Sequence, residues 1–595
     1  MKFSELAKSF EEIDRTASRN EMTALLADLF KKASPEELEK IVYLSLGRLA
    51  PLYDPIEFGM ADKSVVQALA RAFDKDANEL TKELKRVGDV GKLAGSLATN
   101  KNFKKSVLEV FDELYRLALD SGNGSVERKS IILADMLREA DEDSAKYLAK
   151  IPTGKMRLGF SDMTILDALS VMETNDKSLK KQLETFYNLG PDLGRIAKRF
   201  KQKGMGGLSA DLISVGTPIL MARCERLNNA KEILEKSGGK VALEPKYDAF
   251  RLQVHLDKKG KLLTRTGGGE IINSKVKLFT RNLEDVTYMY PDIVEGVLRE
   301  VDAKSEAIFE GEALAYVEET GEFRPFQETV QRKRKHGIDA KVLEIPLRLF
   351  VFEFLYKDGK SLINESYESR REVMRASFKG NKIVVLSEEI VATTEKEIED
   401  YFNHEVSRGL EGIVAKKLDG IYQAGARGWN WIKFKRGFSG MALTDTIDCV
   451  VLGYDYGSGK RTKFGIGDFL VGVYDQDKDV YTTIAKIGTG LTDLEWVDIR
   501  ERLDKISLDK APKNVIYKKL AEVDVWVDPR IVVVVMADEI TRSPFHTTGE
   551  VDGTGLALRF PRLVEFDRAD KLPTDSTSVT EIIAMYNGQK KQKST

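Results

Sequence analysis

Two cysteines and four histidines are all that this 595-residue chain holds of the side chains that most often bind metals. Cys224 and Cys449 have no Cys-x-x-Cys spacing and are too few for a disulfide framework. His255, His336, His404 and His546 are scattered, which argues against a structural zinc site. No uninterrupted apolar run approaches the roughly 20 residues that span a bilayer. The opening residues, Met-Lys-Phe-Ser-Glu-Leu-Ala-Lys, lack an apolar signal core, so an intracellular protein without a membrane partner is expected. Charge of one sign is not in excess either, since 93 Lys and Arg face 95 Asp and Glu. That balance argues against indiscriminate polyanion binding, although a near-neutral protein can still carry a basic face.

The usual phosphate loops are also missing. In Gly457-Ser-Gly459-Lys460-Arg461-Thr462, Tyr454 stands where a P-loop needs its first glycine, and Arg461 where it needs Ser or Thr. The stretch reads as a basic turn between strands. Thr266-Gly-Gly-Gly269 has no Rossmann spacing and reads as a hairpin turn.

What is present divides the chain into three regions, within the roughly three to five domains that its length allows. Residues 1–208 are expected to be all-helical, with apolar residues every three or four positions at 36–50, 64–74, 103–119 and 130–140. Breaks fall at Gly122-Asn-Gly-Ser125 and Gly190-Pro191, and Lys203-Gly-Met-Gly-Gly-Leu reads as a linker or turn. Lys155-Met-Arg157-Leu-Gly159 is a basic turn before a helix, as consistent with a solvated turn as with a phosphate contact. Residues 209–437 read as α+β, with strands at 251–256, 307–315, 346–355, 382–386, 412–416 and 430–435. Residues 438–595 carry short strands at 448–454, 469–474, 481–487 and 531–536, the pattern of a small β-barrel, and end in a basic tail from Gln589 that reads as mobile.

One octapeptide concentrates the chemistry. Glu244-Pro-Lys-Tyr-Asp-Ala-Phe-Arg251 sets a lysine between acidic neighbours, just before Leu252, Val254 and Leu256 alternate with Gln253 and His255. That alternation predicts a half-buried strand, and in an extended segment Glu244, Lys246 and Asp248 share a face. Lys246 is then either an ion-pair partner or a nucleophile. Three further segments have the same character: Phe309-Glu310-Gly-Glu312-Ala-Leu314, Leu410-Glu411-Gly-Ile-Val-Ala-Lys416 and Trp431-Ile-Lys433-Phe-Lys435. Each alone is more readily a salt-bridged surface strand. Together they supply an amine, carboxylates for a hard cation and paired cations for phosphate oxygens, the parts that nucleotidyl transfer requires.

With Leu558-Arg559-Phe-Pro-Arg562 added, the ordered series resembles the motifs of ATP-dependent DNA ligases, most closely the archaeal and eukaryotic replicative type. Also similar are the stretches from Gly216 to Ala222, Phe279 to Thr287, Phe352 to Gly359, Gly425 to Gly428, Asp445 to Asp448 and Lys486 to Gly490. The resemblance covers nearly the whole chain. It implies a helical DNA-binding domain, a nucleotidyltransferase (adenylation) domain and a C-terminal OB-fold. It further implies that the protein seals nicks in duplex DNA during replication, repair and recombination, using ATP and Mg²⁺.

By the same resemblance Lys246 is the adenylated lysine and Glu244 reads the adenine amino group. Arg251, Arg281 and Glu312 contact ribose or phosphate, Phe352 stacks on the base, and Arg427 belongs to the nucleotide site. Glu411, with Glu312, is a metal ligand, and Lys433 and Lys435 clamp the α-phosphate. Arg559 and Arg562 orient pyrophosphate. Lys433, Lys435 and the metal are expected to disfavour the charged form of Lys246, with Asp248 opposing them. A monomer acting near the nucleoid is expected. No clamp-binding motif is evident, and residues 101–105 are the candidate contact for a sliding clamp. Two positions depart from the family pattern. Ala249 stands where glycine is usual, which would be strained if φ there is positive, and Glu353 stands where Asp is common. The alternatives are an RNA ligase or capping-type enzyme, and a catalytically dead scaffold.

Overall fold

The computed structural model describes all residues except 17, 55, 209–212, 228, 267–269, 318–321, 325, 335–336, 379–381, 409, 436–445, 458, 569–570 and 594–595. His336, Asp445 and the glycines at 267–269 lie outside the described residues. The chain forms two units, Met1–Thr81 with Val90–Lys435 and Lys82–Asp89 with Arg436–Thr595.

Among the described residues the N-terminal region holds twelve α-helices, from Phe3–Arg15 to Leu193–Lys203. Local chemistry trims the predicted bounds. Ser106 accepts from the Glu109 amide at 3.2 Å while its own amide donates to the Glu109 carboxylate at 2.7 Å. This capping box starts the helix at Val107 rather than at 103. The helix predicted over 36–50 runs Pro35–Ser45 and is closed by Gly47. Gly47 has φ +67°, and a Cβ there would lie 3.0 Å from the Cα of Gly154. The expected linker after Lys203 is a 3₁₀ turn, Gly204–Gly207.

The mixed region is built on two main sheets. The first orders its strands Arg223–Arg226, Arg427–Lys435, Gly412–Lys417, Val241–Pro245 and Ile390–Ala392. The second runs Lys360–Ser361, Leu347–Lys357, Glu306–Val317, Phe250–Asp257 and Val276–Thr280, with Val384–Leu386 and Glu322–Phe323 added at its sides. Leu262–Arg265 and Ile271–Ser274 pair as the expected hairpin. The N-terminal region packs directly on the second sheet, where Tyr53 meets Phe279 edge-on at 6.4 Å.

The octapeptide strand differs from its predicted half-burial. Leu252, Val254 and Leu256 enter the core, but Gln253 and His255 are fully buried too. The segment from Gly216 to Ala222 covers their face. Gln253 exchanges hydrogen bonds with both backbone groups of Ile219 (2.7 and 2.9 Å), and His255 Nδ1 accepts from the Gly216 amide at 3.0 Å. Burial, reinforced by Lys277, pushes the His255 pKa down to about 3, so the imidazole is neutral. Polar residues alternating along a strand indicate solvent only when nothing satisfies them inside.

In the second unit, Ile447–Asp455 pairs in turn with Asp468–Asp475, Val525–Val527 and Val532–Met536 within an eight-stranded sheet. A register shift between Val451 and Gly453 lets this one strand bend between its partners. A three-stranded sheet of Glu539–Ser543, Thr554–Arg559 and Thr548–Val551 accompanies it. The basic turn after Gly457 contains the 3₁₀ segment Gly459–Phe464, and Arg461 donates to the carbonyls of Gly467 and Gly488. The tail read as mobile is helical as far as Lys593, within Val579–Lys593, and Gln589 Oε1 accepts from the Ile540 amide at 3.2 Å. No described helix is long and apolar enough to cross a membrane.

Candidate active site

Lys246 sits where the chain leaves one sheet for the other. The strand Val241–Pro245 belongs to the first sheet and Phe250–Asp257 to the second, so residues 246–249 cross between them. The backbone of Lys246 still pairs with the neighbouring stretch, its amide donating to Gly412 O (2.9 Å) and its carbonyl accepting from Glu411 N (3.2 Å). That pairing brings the Glu411 carboxylate to 2.5 Å from the Lys246 ammonium. Glu244, Lys246 and Asp248 do line one cleft, but not as alternate members of one extended strand. The strand ends at Pro245, and Glu244 turns instead to Tyr367, Arg371 and Lys416.

The cleft has a volume of about 470 Å³ and is walled by both sheets. The first sheet contributes Glu244, Lys416, Trp431 and Lys433, and the second Arg251, Glu312 and Phe352. Phe352 is 8% exposed and meets Trp431 edge-on at 5.9 Å. The guanidinium of Arg251 lies 5.3 Å from both rings and donates to Ala222 O and Glu310, each at 2.7 Å. Arg251 therefore braces the wall as well as facing the cavity. Arg281 and Arg427 are exposed at its rim. For Lys435 only the backbone is described, opposite Gly412. Arg559 and Arg562 belong to the second unit, paired there with Glu539 (2.6 Å) and Asp538 (2.7 Å), and every cleft-lining residue belongs to the first. Cys224 is also in the wall.

Electrostatics reverse one expectation. Burial pulls the Lys246 pKa down, but Glu411, joined by Glu312, outweighs burial and holds it above the ordinary lysine value. The opposing carboxylate is thus chiefly Glu411, not Asp248. Glu312 moves the other way. Burial drives its carboxyl up to about 8, against the pull of Lys246 and Arg251, and its Oε2 is buried without a hydrogen-bond partner.

The sign of the resulting linkage follows from the direction of that shift. A carboxyl that titrates at about 8 when folded and near 4.5 when unfolded contributes stability below pH 4.5 that is lost as pH rises through 8. Without nucleotide, the wild-type melting temperature is therefore expected to fall against that of Glu312→Gln across this window. A pH-independent difference between the two would remove this account of Glu312.

The two departures from the family pattern are both accommodated. Ala249 is not among the residues with positive φ, and its methyl group packs with Tyr247, Leu314, Phe350 and Leu410. Ala249→Gly should then lower stability by about 1 kcal/mol without speeding reaction of Lys246 with ATP. Faster adduct formation in that variant would show that the methyl group obstructs the turn. Glu353 is fully buried and uses its length to reach Arg370 in a bidentate pair at 2.8 and 2.9 Å. Lys416, named in the sequence as the end of a strand, joins this region, whereas the sequence reading missed Tyr367, Arg370 and Arg371. Their signal was the i, i+3, i+4 spacing of three polar residues that one helix buries together.

Two sheets walling a cleft, with a lysine at the crossover and carboxylates and cations around it, define a nucleotidyl-transfer protein. Comparisons with known proteins carry this further. Three family models match in order: "DNA ligase N terminus" over residues 2–170, "ATP dependent DNA ligase domain" over 218–435 and "ATP dependent DNA ligase C terminal region" over 462–571. The chain is 48% identical over 594 residues to a "Probable DNA ligase" of Dictyoglomus turgidum, covering 100% of this chain and 99% of the relative. It is 39% identical to the "DNA ligase" of Pyrobaculum islandicum, covering 99% of each. A solved structure described as Pmar-Lig_PreS3 shares the fold, with a TM-score of 0.53 at 16% identity over 94% of this chain and 99% of that one. The chain belongs to the ATP-dependent DNA ligase family, enzymes that act on nicked DNA by way of a lysyl-AMP.

Proposed function

We propose that Lys246 is the residue that carries AMP in this protein. The observation that carries the reading is the pairing of Lys246 with Glu411, with Lys246 lining a cleft that also holds Phe352 and Lys433. The Lys246 amine attacks the α-phosphorus of ATP, a P–N bond forms, the α–β anhydride bond breaks, and pyrophosphate leaves. The ammonium must first lose a proton, and Glu411 is the acceptor within reach. Glu244 accepts from the adenine amino group, Phe352 stacks on the base, and Arg251, Arg281 and Arg427 serve ribose and phosphates. Lys433 and Lys435 hold the α-phosphate oxygens. A 5′-phosphate oxygen at the nick then takes AMP from Lys246, and the 3′-hydroxyl displaces AMP to join the strand.

Mg²⁺ fits the same cleft. Among the described residues no group of three or more His, Cys, Asp or Glu is placed to hold a metal, but Glu312 has an unpartnered buried oxygen beside Glu411. One or two carboxylates, completed by water and substrate phosphates, suit this ion. When bound, Mg²⁺ supplies charge neutralisation at the phosphates. Glu411, drawn towards a cation, would relax its hold on the Lys246 proton.

We further infer that residues 1–208 bind duplex DNA, that 209–437 adenylate, and that 438–595 form an OB-type barrel. That barrel presents Arg559 and Arg562 to pyrophosphate during the first step. The protein acts inside the cell as a monomer, with residues 101–105 as the candidate contact for a sliding clamp. The decisive test is mass spectrometry of the purified protein after treatment with ATP and Mg²⁺. An AMP adduct on Lys246 is expected, and an adduct on another residue, or none, overturns the assignment.

A further inference from the structure

Behind the cleft lies the helix Tyr367–Ser377, whose i, i+4 spacing brings Tyr367 and Arg371 to one buried face. Both reach Glu244. Tyr367 Oη stands 2.5 Å from Glu244 Oε1 and 2.5 Å from Glu389 Oε2. Arg371 spans the same two carboxylates, with Nη1 3.3 Å from Glu244 and Nε 3.1 Å from Glu389. Lys416 holds the other Glu244 oxygen at 2.9 Å while donating to Phe352 O at 2.6 Å. Arg375 secures the remaining oxygen of Glu389 at 2.7 Å.

A phenol carries one proton, so Tyr367 can donate to only one of the two carboxylates at a time. Burial and the Glu244 charge keep that proton on the phenol, well above the ordinary tyrosine range. Both carboxylates lie 2.5 Å from the hydroxyl, so either can accept its hydrogen bond. A carboxylate oxygen accepts more than one donor, so a base N–H can reach Glu244 while the hydroxyl still holds it, and Glu389 keeps Arg371 and Arg375. Arg371 and Lys416, which donate only, pair with Glu244 and keep it an acceptor. A base with an oxygen at that edge would then present acceptor to acceptor.

We propose that Tyr367 is a positioning residue for nucleotide selection, holding Glu244 towards the exocyclic amino group of the base, with Glu389 as its alternate acceptor. The proposal rests on reading the cleft as the ATP site. Its test compares two α-labelled nucleotides, ATP and purine riboside triphosphate, which lacks the amino group. In covalent labelling, Tyr367→Phe is expected to raise the KM for ATP about tenfold with kcat kept, and to leave the KM for the analogue within about twofold. Glu389→Gln, close to the surface-exposed Arg375, should show the same pattern at about threefold, and decides the matter if Tyr367→Phe does not fold. Equal shifts for both nucleotides, or none for either, overturn the proposal, because a merely structural role does not distinguish them. A wild-type protein that takes no label from ATP defeats the underlying reading before any variant is made.

Discussion

Replacing Lys246 by alanine abolishes the covalent protein–AMP and lowers sealing of 5′-phosphorylated nicks with ATP by a factor on the order of 10⁴ or more. The same variant still joins a nick whose 5′ end already carries AMP, since the nucleophile there is the DNA 3′-hydroxyl. Lys246→Arg separates charge from nucleophilicity. Arginine keeps a cation beside Glu411 but does not give up its proton, so it should support the fold and form no adduct. Label retained in either variant would move the nucleophile elsewhere. The raised pKa of Lys246 adds a condition: without a cation to engage Glu411, adduct formation should be slow at neutral pH and rise with pH as the ammonium deprotonates.

Much of this site was legible because its parts lie on strands. Period-two patterns located Phe309 to Leu314 and Trp431 to Lys435 as strands, and Ile432 is indeed buried while Lys433 lines the cleft. The octapeptide was read as one extended piece, and that failed at Pro245. A crossover between two sheets leaves no periodic signature, and the Lys246–Glu411 contact depends on backbone pairing between segments far apart in sequence. Gln253 and His255 looked solvent-facing for a related reason. Their partners include backbone groups of Gly216 and Ile219, which have no sequence identity to read. Helix Tyr367–Ser377 was hidden by composition. Its mean hydropathy is strongly polar, because three of the side chains it buries, Tyr367, Arg370 and Arg371, are satisfied by carboxylates from other elements.

Arg370→Ala is expected to be the most destabilising substitution discussed for this region, at about 3–5 kcal/mol, because it strands a fully buried carboxylate. Arg370 holds Glu353 through both oxygens and also donates to the carbonyls of Glu365 (2.6 Å) and Gly420 (3.0 Å), so three chain segments lose an anchor together. Thermal unfolding followed at several pH values distinguishes a lost ion pair from lost packing. Although burial pulls the other way, Arg370 holds the Glu353 pKa below its usual value. A depressed carboxylate contributes stability above its unfolded value of 4.5, and that contribution is lost as pH falls through the folded value. The gap in melting temperature between wild type and Arg370→Ala should therefore be widest near neutrality and narrow under acid, where Glu353 is protonated in both proteins. Replacing Glu353 and Arg370 together by apolar residues should recover part of the loss, since two buried charges no longer need each other. If the gap stays constant with pH, Arg370 acts through its carbonyl contacts alone, and the Glu353 pair contributes nothing that a neutral side chain could not.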